Sequence, residues 1–213
     1  MSAYHQDPFL LDARGVIHVG ASFGQERELY QSLGLPVVWV EPIPEVFAQL
    51  RQNIATFHRQ IAVQALLTDR DGVEYTFHIS NNEGMSSSIL ELDLHRDIWP
   101  DVDYTHEIQL ISKTLPALLI ENAVDPAAYD ALVMDTQGSE LLILQGATPV
   151  LHHFRYIKTE APDFESYRGC CLVSDLAQFL DGHGFDEHAR HKFAERKQGG
   201  SYYDVVFARR AQL

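Results

Sequence analysis

Cysteine is nearly absent from this 213-residue chain. It has two, Cys170 and Cys171, adjacent in sequence, where ordinary disulfide geometry is hard to reach. A disulfide framework is thereby excluded, and two reduced thiols fit a cytosolic setting. Basic residues are also scarce: 16 Lys and Arg face 30 Asp and Glu, for a formal net charge of −14. That balance argues against a phosphate-backbone footprint, which needs clustered cations on one face. Only Arg190, Lys192, Arg196 and Lys197 could make a local basic patch. No segment approaches the roughly 18 apolar residues of a membrane span, and Phe9 to Leu11 is too short for the core of a leader peptide. Repeats and low-complexity tracts are missing, and none of the 11 histidines forms an H-x-x-x-H pair. His152-His153 and His188-x-x-His191 stand isolated. The expectation is a cytoplasmic protein with neither a membrane nor a nucleic-acid partner; nothing assigns an oligomeric state.

The 46% hydrophobic content is that of an ordinary globular chain, and its length suits one domain over residues 1–213. Apolar runs of strand length recur at Val16 to Val19, Val37 to Val40, Ile61 to Leu67, Ala131 to Met134 and Tyr156 to Lys158. Segments of helical period lie between several of them: Gln25 to Leu33 closed by Gly34, Glu45 to Phe57 with Pro44 at its first position, Leu141 to Val150, and Leu172 to Leu180 stopped by Gly182 and Gly184. Alternating strand and helix predicts an α/β fold, a mostly parallel sheet with helices on both faces. Two strands break the pattern. Val73 to Ile79 follows the Asp71-Gly72 turn and is expected to pair back on the strand before it, while Tyr202 to Ala208 should form a closing hairpin with residues 185–193. The stretch 80–105 is long for a connection, which suggests a lid or substrate-binding insertion.

Two strand ends carry the chemistry. Gly20-Ala-Ser-Phe-Gly24 can turn without a Cβ clash, while the next helix aims its free N–H groups at the same spot, an arrangement for a carboxylate or phosphate; a plain tight turn is the other reading. Glu41 ends the next strand 21 positions after Gly20, about the offset at which an acid takes ribose hydroxyls in dinucleotide folds. The spacing G-x-x-x-G lacks the middle glycine that makes room for a pyrophosphate, which weakens a nicotinamide dinucleotide. A ligand with adenosine at one end and a small amino-acid carboxylate at the other, S-adenosylmethionine, fits better.

V-I-H-V-G-A-S-F-G-Q-E at 16 to 26, V-V-W-V-E-P at 37 to 42, the serine triplet 86 to 88, L-V-M-D-T-Q-G-S-E-L-L-I-L-Q-G-A at 132 to 147 and K-T-E-A-P at 158 to 162 together resemble the FkbM-type methyltransferases. The resemblance spans nearly the whole chain, and D-x-Q-G-x-E-x-x-x-L-x-G-A is its most specific part. It implies the three-layer Rossmann-like class I methyltransferase fold, with a seven-stranded sheet of order 3-2-1-4-5-7-6 whose last strand is antiparallel. It also implies O-methylation of small molecules and sugars. It assigns Gly20, Ala21 and Gly24 to the methionine end of the cofactor, Glu41 to the ribose, and Leu67 to Asp69 to the adenine; Ser22, Gln25 and Pro42 are further expected cofactor contacts. Asp135 falls beside the sulfonium.

Two positions depart from the family's pattern. His18 stands where the family commonly has an aspartate that helps hold the cofactor's ammonium group; a neutral imidazole can still accept one hydrogen bond, and a buried, satisfied histidine is the alternative. K-T-L-P at 113 to 116 stands where the family often reads L-D, so Pro116 predicts a different helix entry.

Methyl transfer to a hydroxyl needs alignment and a base within hydrogen-bond reach. The candidates are Asp135, Glu160 and His95. Asp135 could instead cap the helix beginning near Gly138, Glu160 could pair with Lys158, and His95 could be a surface histidine. Asp135 and Glu160, as paired carboxylates, are also hard-cation ligands for a divalent metal, though without a full ligand set. Tyr167 is either a pocket wall or packing. The expected activity is S-adenosylmethionine-dependent O-methylation of a small-molecule hydroxyl acceptor. A catalytically silent module binding the same cofactor, and an NAD-dependent oxidoreductase, are the alternatives.

Overall fold

The computed structural model describes residues 7–211, so the first six residues of the leader reading lie outside the described chain. The elements run β1 (Val16–Val19), α1 (Arg27–Ser32), β2 (Val37–Glu41), α2 (Pro44–Asn53), β3 (Gln60–Gln64), β4 (Leu66–Leu67), β5 (Glu74–Ser80), β6 (Tyr104–Lys113) and α3 (Leu115–Glu121). They continue through β7 (Ala131–Met134), α4 (Glu140–Ala147), β8 (Tyr156–Pro162), α5 (Val173–Gly182), β9 (Phe185–Glu195) and β10 (Ser201–Arg209). Seven of the strands form one sheet in the order β3-β2-β1-β7-β8-β10-β9. The pairings β1–β2, β2–β3, β1–β7 and β7–β8 are parallel, and β10 runs antiparallel to both β8 and β9. Counted within this sheet, the order is 3-2-1-4-5-7-6 with the last strand reversed, the expected Rossmann-like architecture.

The central strands are apolar on both faces because both faces are covered. Ile17, Val38, Val40, Leu132 and Met134 pack on one side against Leu118 of α3, Leu144 of α4 and Leu176 of α5. Val16, Val37, Trp39 and Val133 pack on the other against Phe9, Tyr30 of α1, and Leu50 and Ile54 at α2. Pro44 opens α2, and Gly34 takes the left-handed conformation (φ +68°) just past α1. Thr114 caps α3 by accepting the Ala117 N–H, with Pro116 in the first turn, where its missing N–H costs nothing.

Two expectations fail between residues 61 and 113. The run Ile61 to Leu67 is not one strand: β3 ends at Gln64, and Leu66–Leu67 joins a second, three-stranded sheet of order β4-β6-β5. Residues 73–79 do not pair back on the preceding strand but lie antiparallel on β6, with Phe77 opposite Ile108. The reason is burial. Phe77, Ile79, Ile108 and Leu110 line the inner face of the small sheet and cluster over Ile43, Val46 and Leu66, contacts a hairpin with β3 would leave unmade. Its apolar side roofs the crevice at the C-terminal ends of β2 and β3. Strand β8 extends four residues beyond the expected Lys158, which carries Glu160 onto a paired strand.

Candidate active site

The crevice forms where β1 and β7 separate from their neighbours, and Gly20 is what lets their ends meet. Its φ is +76°, and a Cβ there would stand 1.8 Å from the Asp135 carbonyl oxygen. Gly24 is likewise left-handed (φ +71°), with a Cβ meeting Leu50 at 2.8 Å. Both glycines answer to neighbouring chain. The first three N–H groups of the turn are spent on the chain itself: Gly20 and Ala21 both donate to the Val40 carbonyl at 3.0 Å, and Ser22, at φ +46°, donates to Glu41 Oε2 at 2.9 Å. The Ile43 N–H takes Glu41 Oε1 at 2.9 Å. The glycine turn and the acid are therefore joined directly. Each Glu41 oxygen keeps a lone pair, and burial, partly offset by these two bonds, pushes the carboxyl up to about 7.

The opposite wall is the loop 135–139, which Glu140 ties to itself. Its Oε1 accepts from the Thr136 N–H (2.9 Å), the Thr136 hydroxyl (3.1 Å) and the Gly138 N–H (3.2 Å). Gln137, left-handed at φ +54°, donates from Nε2 to Asp135 Oδ1 at 2.5 Å and accepts the Tyr167 hydroxyl at 2.7 Å. Tyr167 is thus fully buried packing that positions Gln137 and, through it, Asp135. Asp135 caps nothing: Ser139 is the N-cap of α4. It lies among protein atoms yet open to the water of the crevice, and burial, then the nearby Glu140, Glu26 and Asp204, push it up to about 7. Water in the crevice tempers that shift; an occupant excluding the water would enlarge it.

Between these walls lies a cleft of about 780 Å³, counting the open solvent within it. Gly20, Ser22, Gln25, Glu41, Pro42, Leu67 and Asp135 line it, as does an apolar shelf of Ile43, Val46, Leu66 and Ile143. Neither Phe23 nor Trp39 plugs it. From the long 80–105 stretch it receives Gly84, Met85 and Ser87. A second cavity, of about 980 Å³, opens on the other side of Asp135 and shares that residue and Gln25 with the first. His18 lines only this second space. It is buried, stacked on Trp39 at 5.0 Å, with Nδ1 3.1 Å from the Tyr30 hydroxyl, and burial lowers its pKa.

Glu160 lines the second cavity too, and not as a partner of Lys158, whose ammonium instead meets Asp7 at 2.9 Å and Asp204 at 3.7 Å. Register sets Asp204 of β10 directly opposite Glu160 of β8. Burial, then Asp135 and further acids, raise the Glu160 carboxyl well above the ordinary range. Asp204 and Asp7 had no local signature in the sequence, Gln137 stood in its motif without a role, and Lys158 entered only as a partner for Glu160. Only β-pairing and the 135–139 loop bring them here.

Other candidates lie elsewhere. His95 is neither in an open lid nor on the surface. It is buried among Trp99, Tyr167 and Tyr202, with Nδ1 2.7 Å from the Tyr202 hydroxyl and Nε2 3.2 Å from Ser86 Oγ, and burial pushes its pKa down to about 4. Asp69 pairs with Arg70 at 3.1 Å outside the cleft, and Ala21 is core. The basic patch is largely neutralised, Arg190 by Glu187, Lys192 by Glu195 and Arg196 by Asp97. Among the described residues, no group of three or more His, Cys, Asp or Glu is arranged to hold a metal, and no helix is long and apolar enough to cross a membrane.

The sequence matches the Methyltransferase FkbM domain over residues 18–187. No curated protein matches it. Among solved structures, the METTL16 methyltransferase domain is 12% identical, with 96% of this chain and 65% of that one aligned at a TM-score of 0.55. Magnesium protoporphyrin IX methyltransferase (ChlM) from Synechocystis PCC 6803, with bound SAH, is 11% identical over 97% and 78% of the two chains at 0.51. An uncharacterized protein from Listeria monocytogenes serotype 4b is 8% identical over 100% and 69% at 0.53. At these identities the likeness is one of fold.

Proposed function

The chain belongs to the FkbM methyltransferase family, and we propose that it is an S-adenosylmethionine-dependent methyltransferase acting on a hydroxyl oxygen of a small metabolite or sugar. The observation that carries this is the direct bond between the glycine turn and the ribose-type acid, Ser22 N–H to Glu41 Oε2, at the floor of a cleft whose far wall is Asp135.

The donor set suits the cofactor. Glu41 has a free lone pair on each oxygen for a ribose diol, the shelf of Ile43, Leu66, Leu67 and Ile143 suits a flat base, and Asp135 supplies negative charge for a cationic centre. SAH bound to ChlM, a protein of like fold, supports the same reading. When bound, S-adenosylmethionine supplies a methyl group already activated for displacement. The protein's share is alignment and proton removal. Glu160, its carboxyl made more basic by burial and free of hydrogen bonds, takes the acceptor's hydroxyl proton in its ionised form. Asp135, held by Gln137, sits where the two cavities join. A dinucleotide is disfavoured because the N–H groups that would cradle its pyrophosphate are already bonded to Val40 and Glu41.

Calorimetry with S-adenosylhomocysteine tests the cofactor. We expect saturable binding, weakened roughly tenfold or more by Glu41→Ala; no binding at millimolar ligand rejects the proposal. A labelled-methyl screen separates the enzyme from a silent module: binding without transfer to any hydroxyl acceptor favours the module, and one robust turnover ends that alternative.

A further inference from the structure

The second cavity differs from the cofactor cleft in how much charge it carries: the cleft's charged lining is Glu41 and Asp135 alone. The second cavity's ionisable lining is Asp7, Glu26, Asp135, Glu160 and Asp204 against Lys158, with His18 neutral. Lys158 is already shared between Asp7 and Asp204. That leaves Glu160, deep-set, facing the cavity with no hydrogen bond or ion pair to its carboxylate, opposite Asp204 in strand register and near Asp135. Like charges directly opposite across an antiparallel pair are unfavourable. A protein that keeps them beside a cavity of about 980 Å³ has left a counter-charge to be supplied from outside. Phe9, Leu10, Leu29 and Tyr30 give the same space an apolar wall.

Resting on the methyltransferase reading above, we infer that this cavity selects a hydroxyl acceptor carrying a protonated amine, of the amino-sugar kind, with its ammonium group between Glu160 and Asp204. The ammonium group donates to two carboxylates that now repel each other. With one Glu160 oxygen and Asp204 accepting from the ammonium group, the neighbouring hydroxyl lies at the other Glu160 oxygen, on the side where the two cavities meet at Asp135. Anionic acceptors are rejected by the same charges, which is specificity by repulsion.

Glucosamine, glucose and glucuronate share one ring and differ in charge, so they test the inference on protein first saturated with S-adenosylhomocysteine. Glucosamine is expected to bind roughly tenfold more tightly than glucose, and glucuronate most weakly. Asp204→Asn should cut glucosamine affinity about threefold or more, while leaving S-adenosylhomocysteine affinity unchanged. Equal affinity for the three, a preference for the neutral or acidic sugar, or binding of none of them overturns the inference. So does loss of glucosamine binding when the cofactor product is present, which would assign these carboxylates to the cofactor's own ammonium group. The prior titration with S-adenosylhomocysteine stands apart: its failure rejects the cofactor reading, and glucosamine selectivity can be measured either way.

Discussion

The two cavities that meet at Asp135 and Gln25 are built on opposite terms. In the first, the chain satisfies its own polar groups: Glu41 accepts two N–H groups, Glu140 closes its loop through three bonds, and the glycine turn spends its donors on Val40. In the second, carboxylates face one another with one shared ammonium group between them. A satisfied wall holds its shape whether or not a ligand is there. An unsatisfied one favours whatever ligand brings the missing charge. The contrast assigns rigidity to the cofactor side and selectivity to the acceptor side.

The most damaging way to break that contrast is Gly20→Ala. The methyl would sit inside the Asp135 carbonyl and the φ is left-handed, so we expect loss of more than about 3 kcal/mol or no folded protein. A thermal melt matching wild type would show that β1 and β7 do not meet as described. Next is Glu160→Gln, which should lower turnover by about 10²–10⁴-fold, as loss of a general base does, yet raise the melting temperature at pH 8 by relieving repulsion. A variant with full turnover removes Glu160 from the chemistry.

Glu140→Ala should cost about 2–3 kcal/mol, because it strands the Thr136 and Gly138 N–H groups; denaturant unfolding measures it. Gln137→Ala sharpens the comparison more gently. It should leave S-adenosylhomocysteine affinity intact and slow turnover about tenfold by freeing Asp135. A change in both parameters would make Gln137 a binding residue.

The smallest effect expected is in the pH dependence of stability. Asp135, raised from 3.8 to about 7, and Glu41, from 4.5 to about 7, hold protons more tightly folded than unfolded. Their contribution is therefore fully present below about pH 4 and is lost as pH rises through about 7. The melting temperature should fall between pH 5 and 8, less so in Asp135→Asn. An Asp135→Asn profile that superimposes on wild type would mean the carboxyl is unperturbed.

Much of this was legible in one dimension. The runs at Val16, Val37 and Ala131 are strands because four or five consecutive apolar residues cannot all be buried except in the middle of a covered parallel sheet. The cleft residues Gly20, Ser22, Gln25, Glu41, Pro42, Leu67 and Asp135 sit at the ends of those runs. Strand β6 could also have been found in part: Ile108 and Leu110 alternate with Glu107 and Gln109, a short period-2 signal inside a polar stretch. His95 was misplaced because L-D-L-H-R-D looks solvated in isolation, and its burial depends on Tyr167 and Tyr202, more than 70 residues away.

By itself the sequence determined the alternation of strand and helix and which residue types stand at the strand ends, because these follow from local periodicity and turn chemistry; the sheet order came only from the family its motifs resemble. Tertiary structure alone decided that Glu160 faces Asp204, that Lys158 is taken by Asp7 and that the small sheet roofs the cleft. Each of those depends on pairing register or packing between distant segments, and a one-residue slip, which the local sequence does not forbid, would turn every one of those side chains to the other face.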